Sequence, residues 1–108
     1  MFIANKVKFM KYKIEITEDA KADLSYFKAY KRKEILAGIK NQLLYEPLKE
    51  TGNRKNLRDN PVAPWELRVG RYRVFYEVAD DIVTVIIISV GMKRKHNILY
   101  IRGKEVTI

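Results

Sequence analysis

The chain has 108 residues, 47% of them apolar and 32% charged. That length suits one domain with one core, and the balance excludes both a disordered tail and a membrane protein. No unbroken apolar run exceeds four residues, as at Val85–Ile88, whereas a spanning helix needs about 20. There is no cysteine, so disulfides and thiolate metal sites are ruled out, and a cytoplasmic location is expected. Lys and Arg number 22 against 13 Asp and Glu, a net charge of +9. So much self-repulsion on a small domain points to an anionic partner: nucleic acid first, an acidic protein second, a membrane surface last.

Residues 1–10 read as an N-terminal extension, since lysines interrupt their apolar residues and no signal-peptide cleavage site follows. The domain proper is expected over 11–108. In Tyr12-Lys13-Ile14-Glu15-Ile16, apolar and charged residues alternate as in a half-buried strand. Thr17 is placed to cap a helix whose first turn carries Glu18 and Asp19, and Ala20, Leu24 and Phe27 give it one apolar face. Lys31-Arg32-Lys33 interrupts the pattern and is expected to mark a bend. A second stripe, Ile35, Leu36, Ile39 and Leu43, ends before Pro47.

From Pro47 to Pro64 the chain reads as one long loop. Three strand-like runs follow: Trp65–Val69, then Tyr72–Val78 after Gly70-Arg71, then Ile82–Val90 after Asp80-Asp81. The third is apolar on both faces and is expected to be the central strand. In the basic tail, Ile98–Ile101 suggests a further short strand before a turn at Arg102-Gly103-Lys104. The order implies an α+β fold: an N-terminal strand and a helical hairpin packed on an antiparallel sheet of about four strands.

The chemistry is limited by what is absent. One histidine and no cysteine leave no zinc-type ligand set, no Gly-rich loop follows a strand, and no serine sits in a nucleophile elbow. No cofactor or metal is expected. What remains is cationic: Arg68, Arg71 and Arg73 around one hairpin, and Lys93-Arg94-Lys95-His96 after the central strand. Strand periodicity puts Arg71 and Arg73 on one face and Tyr72, Val74 and Tyr76 on the other. The arginines then are either solvated charges that guard a strand edge or a phosphate-binding group. Four cationic or titratable residues together at 93–96 favour phosphate. Trp65 reads as a core anchor rather than a base-stacking platform.

The run Leu67-Arg68-Val69-Gly70-Arg71-Tyr72-Arg73-Val74-Phe75-Tyr76-Glu77-Val78 resembles the signature hairpin of the RelE/ParE toxin superfamily. The continuation Ile88-Ser89-Val90-Gly91, followed by basic residues and Tyr100, is similar too, as are Asn53–Arg58 and Pro64–Leu67 upstream. The resemblance covers about Met10 to Val106. It implies a type II toxin, monomeric alone and hetero-oligomeric with a cognate antitoxin that neutralises it. In the RelE branch such a toxin cleaves mRNA on the ribosome. In the ParE branch it inhibits DNA gyrase by binding, and a third alternative is a catalytically inactive binding protein of the RelE fold.

By that resemblance Arg73 matches the arginine that contacts the scissile phosphate, and Tyr100 the C-terminal tyrosine. Lys93 or Arg94 matches the basic residue between them. The lysine pair that typical RelE proteins carry before the hairpin is replaced around Glu66 and Arg68, with Lys55 or Arg58 as substitutes. His96 is a further acid–base candidate. The implied catalytic set is Arg73, Arg68, Lys93, Arg94, His96 and Tyr100. Arg54, Lys55, Arg58, Arg71 and Lys95 are the implied RNA-binding residues. The reaction would be metal-independent attack of a ribose 2′-hydroxyl on the adjacent phosphate, with cations stabilising the phosphorane and an acid protonating the 5′-oxygen.

Overall fold

A computed structural model describes residues 10–107; the expected extension therefore lies outside the described residues except for Met10. The chain runs β1 (Lys13–Ile16), α1 (Glu18–Ser25), α2 (Ala29–Leu43), β2 (Arg54–Asn56), β3 (Trp65–Val69), β4 (Tyr72–Ala79), β5 (Thr84–Lys93), β6 (Leu99–Ile101) and β7 (Lys104–Val106). Short 3₁₀ turns at Asp80–Ile82 and Lys95–Asn97 flank β5. The strands form one seven-stranded sheet, ordered β2-β3-β4-β5-β6-β7, in which β1 pairs in parallel with the first half of β5. All other pairings are antiparallel.

The α+β architecture is as expected, but the sheet has seven strands rather than about four. The additions are the three-residue strands β2 and β7, whereas β6 is the short strand expected at Ile98–Ile101. Arg54-Lys55-Asn56 has no apolar alternation, so only its pairing with β3 makes it a strand and breaks up the expected long loop. Thr17 caps α1 as expected, its Oγ1 accepting from the Ala20 N–H at 3.1 Å. The helix break falls at Tyr26–Lys28 instead of Lys31–Lys33. Burial of Phe27 fixes the corner, while the three cations ride inside α2 because their long stems carry the charge to solvent. Ile35, Ile39 and Leu43 are buried as expected, and Leu36 is exposed. Ile82, expected in the central strand, is 59% exposed in the turn before it.

Two cores result, one on each face of the sheet. The helices cover Trp65, Leu67, Tyr72, Val74, Tyr76, Val85, Ile87 and Val90. Trp65 anchors this side, stacked on Tyr76 with ring centroids 6.0 Å apart. The opposite face buries Phe75 and Leu99 with Ala63, packed about by Leu57, Val62, Ile88, Ile101 and Val106. Alternation along β4 sends Phe75 to one core and Tyr76 to the other, and a bulge there shifts the β4–β5 register, so that Phe75 pairs with Ser89 and Tyr76 with Ile87.

Candidate nucleic-acid interface

Residues directly opposite in neighbouring strands share a face. The pairs Lys55–Glu66, Glu66–Phe75, Arg68–Arg73, Arg73–Gly91 and Lys93–Leu99 therefore place Lys55, Arg68, Arg73 and Lys93 on the face opposite the helices, across four successive strands. Glu66 is the one carboxylate in this row. A cleft of about 240 Å³, lined by Glu50, Thr51, Gly52, Asn53, Lys55, Glu66 and Arg68, opens at its β2 end.

Arg73 lies under the row, 7% exposed. Its Nε stands 3.2 Å from Glu66 Oε2, an ion pair whose N–H is not aimed at the carboxylate. Its Nη1 donates to the carbonyls of Gly70 at 2.9 Å and Tyr72 at 3.0 Å. Burial pushes the guanidinium pKa down, and Arg68 adds to the fall, while Glu66 opposes it. The arginine expected on an open face is thus sequestered, because the tip of the β3–β4 hairpin curls its own carbonyls onto it. Arg68 is exposed and Lys93 half-exposed, so these two present the accessible charge beside it.

The other expected residues divide by face. Tyr100 pairs with Met92 and so lies on the helix side of the sheet, away from Arg73. Arg94 joins it there, its guanidinium 4.7 Å from the Tyr100 ring centroid. Gly91 shows why the two sides do not merge: a Cβ there would stand 2.7 Å from the Tyr100 carbonyl and 2.9 Å from Leu99 Cδ1, so β6 closes directly over β5. Arg54 is also on the helix side. Its Nη1 donates to the Gln42 carbonyl at 2.6 Å, which ties β2 to the end of α2 instead of offering the charge to RNA. Arg71 is exposed in the β3–β4 turn, and Arg58 in the loop after β2. Lys95 and His96 are exposed in the turn after β5, where His96 and Asn97 adopt left-handed conformations, both at φ 62°. Glu66 was legible as the replacement for a lysine but not as the partner of Arg73, since that contact depends on strand register.

A family model for the ParE toxin of the type II toxin–antitoxin system parDE matches residues 14–96, from β1 to the turn after β5. The chain belongs to this family. It is a toxin of a type II toxin–antitoxin system, within the RelE/ParE superfamily. The toxin is also similar to a chain in the crystal structure of the toxin–antitoxin complex RelBE2 from Mycobacterium tuberculosis. The two are 27% identical with a TM-score of 0.69, over 80% of this chain and 95% of that one. The archaeal RelE–RelB complex from Pyrococcus horikoshii matches at 22% identity and a TM-score of 0.54, over 81% and 99%, which establishes shared fold alone. No curated protein sequence matches the toxin.

Proposed function

We propose that the toxin acts on mRNA at the ribosome as a metal-independent endoribonuclease, in the cytoplasm, and that a cognate antitoxin holds it in check. The observation that carries this reading is the row Lys55, Arg68, Arg73 and Lys93 on one sheet face, in which Glu66 is already paired with Arg73. Such a row follows a phosphate backbone and stabilises charge that develops on phosphorus. The solved relatives named above are complexes of toxin with antitoxin, which supports a protein partner of the same kind here.

In this mechanism a ribose 2′-hydroxyl attacks the adjacent phosphorus and the P–O5′ bond breaks, leaving a 2′,3′-cyclic phosphate and a free 5′-hydroxyl. Arg68 and Lys93 neutralise the phosphorane oxygens. His96, just beyond Lys93, takes the 2′-hydroxyl proton, and the Lys93 ammonium supplies one to the leaving oxygen. Arg73 is a positioning residue: it holds the hairpin tip and adds buried positive charge beneath the phosphate. Lys55 replaces the missing lysines of the RelE pattern, brought beside Glu66 and Arg68 by β2.

A second reading, inhibition of DNA gyrase by binding alone, is favoured by the burial of Arg73 and by Tyr100 facing away from it. Primer extension on a defined mRNA programmed into ribosomes, run beside a gyrase supercoiling assay, separates the two. A-site cuts that fall at least about tenfold in Arg68→Ala and Lys93→Ala, with melting temperatures unchanged, are the expected result. Growth arrest without cuts, together with blocked supercoiling, would move the function to gyrase.

A further inference from the structure

The cleft of about 240 Å³ at the β2 end of the cationic row holds a carboxylate whose hydrogen bonding is unfinished. The Glu66 side chain is only 12% exposed, and a carboxylate so nearly buried needs donors. Among the described residues its one cationic contact is Arg73 Nε, 3.2 Å from Oε2, and that N–H points elsewhere. The charge of Glu66 is thus balanced while its oxygens accept no hydrogen bond. Neither oxygen is sealed from solvent, and the side chain lines the cleft.

The rim around it is already built. Thr51 Oγ1 accepts from the N–H groups of Asn53 and Arg54, both at 3.1 Å, and the Thr51 N–H donates to the Arg54 carbonyl at 2.9 Å. The Asn53 carbonyl accepts from the Arg68 N–H at 2.7 Å. A Cβ at Gly52 would meet nothing within 4 Å, so the mouth is open. Lys55 stands opposite Glu66 across the β2–β3 ladder, and Arg68 follows two residues along β3 on the same face. Both cations are exposed. What the cleft offers a ligand is therefore an acceptor pair at Glu66 with a cation on either side.

A fitting ligand brings two donors side by side to Glu66, an acceptor to Lys55 and an anion to Arg68. A lysine or arginine side chain of a protein partner has the donors, but Lys55 and Arg68 repel it. Among the RNA bases only guanine carries two adjacent donors, N1–H and the N2 amino group, beside an acceptor, O6. Cytosine and adenine set an acceptor nitrogen next to their amino group, and it would face a carboxylate oxygen. We propose that the cleft takes an unpaired guanine of an RNA strand. Glu66 accepts from N1–H and N2–H, Lys55 donates to O6, and the adjoining phosphate lies on Arg68. The proposal rests on the RNA-binding reading of this sheet face, but not on whether the RNA is cut.

The test is fluorescence anisotropy of the full chain with labelled heptamers of 2′-O-methyl uridine, whose blocked 2′-oxygen prevents cutting. The central position carries guanosine, inosine, adenosine or cytidine. Inosine keeps O6 and N1–H and lacks only the N2 amino group. Guanosine is expected to bind about tenfold more tightly than inosine, because one hydrogen bond to a charged acceptor is lost, and more tightly than adenosine or cytidine. This series needs no variant to fold. In Glu66→Gln, checked for a cooperative melt, the preference for guanosine over inosine is expected to shrink at least about threefold. Guanosine 5′-monophosphate as competitor separates a base held in a strand from a free nucleotide: displacement only at large excess marks the strand. Equal binding of guanosine and inosine would overturn the proposal while leaving the RNA reading of the face intact. So would tighter binding of adenosine or cytidine, an undiminished preference in folded Glu66→Gln, or displacement by the mononucleotide at the oligomer's own concentration. Failure of every oligomer to bind would remove both.

Discussion

The carboxylate of Asp23, on α1, completes the hydrogen bonding of β5. Its Oδ2 accepts from the Val90 backbone N–H at 2.9 Å and from Ser89 Oγ at 2.8 Å. Along this edge β1 pairs only as far as Ile87, and β6 starts at Met92. Thr17 spans the first part of the gap, its N–H donating to the Ile87 carbonyl and its Oγ1 to that of Ile88. Asp23 satisfies the N–H that remains and would otherwise be buried unpaired.

Asp23→Ala is therefore expected to leave a buried donor and a buried hydroxyl unsatisfied, at about 1–3 kcal/mol. For a domain of this size, thermal denaturation should show the midpoint fall by at least about 4 °C. Arg102, whose Nε lies 2.8 Å from Asp23 Oδ1, is half exposed. Arg102→Ala should cost less than Asp23→Ala, because the buried carboxylate keeps its two hydrogen bonds from β5. Equal losses would mean the ion pair, rather than the edge gap, sets the role of Asp23.

Arg68 and Arg73 face one another across β3 and β4, and among the described residues only Arg73 of the two has a carboxylate partner. Glu66→Gln strips a buried guanidinium of its counter-charge and is expected to destabilise by about 3 kcal/mol. Arg68→Ala relieves a like charge and should leave stability within about 0.5 kcal/mol of wild type. Chemical denaturation of both variants checks the contrast, which marks Arg68 as available for function and Arg73 as fixed by the fold.

Gly38 sits where α2 crosses the β3–β4 hairpin. A Cβ there would stand 2.6 and 2.7 Å from the two methyl carbons of Val69. Alanine in mid-helix normally gains about 1 kcal/mol over glycine, but Val69 is β-branched and cannot swing away. Gly38→Ala is expected to lose more to overpacking than it gains, and adding Val69→Ala should recover most of the loss. The melting temperatures of the single and double variants decide it.

The Tyr12 hydroxyl donates to Asp80 Oδ1 at 2.6 Å, and that bond, followed by burial and the Asp80 charge, raises its pKa from 10.0 to about 12. The favoured form is the neutral phenol, so this contribution to stability is complete below about pH 10. It is lost as pH climbs from there to about 12. Tyr12→Phe should therefore show a shallower fall in urea-unfolding stability across that window than wild type. Tyr76, buried with its hydroxyl donating to the Pro47 carbonyl at 2.7 Å, is shifted in the same direction. It makes Tyr76→Phe a second variant with the same sign.

The sequence by itself determined whatever depends on local periodicity and capping. Thr17, the Ile35–Ile39–Leu43 stripe, the β3–β4 hairpin and the long β5 are each specified by residues within a few positions of one another, and so is the resemblance carried by Leu67–Val78. The tertiary structure alone decided what depends on register and on distant partners. Arg54-Lys55-Asn56 becomes a strand only because β3 offers an edge, and the same pairing delivers Lys55 to the cationic row and Arg54 to α2. The family resemblance put Arg73 and Tyr100 in one catalytic set, whereas the pairing of Arg73 with Gly91 and of Tyr100 with Met92 put them on opposite faces. In a strand successive residues face opposite sides, so a one-residue difference in pairing, invisible in the sequence of either strand, settles which charges meet.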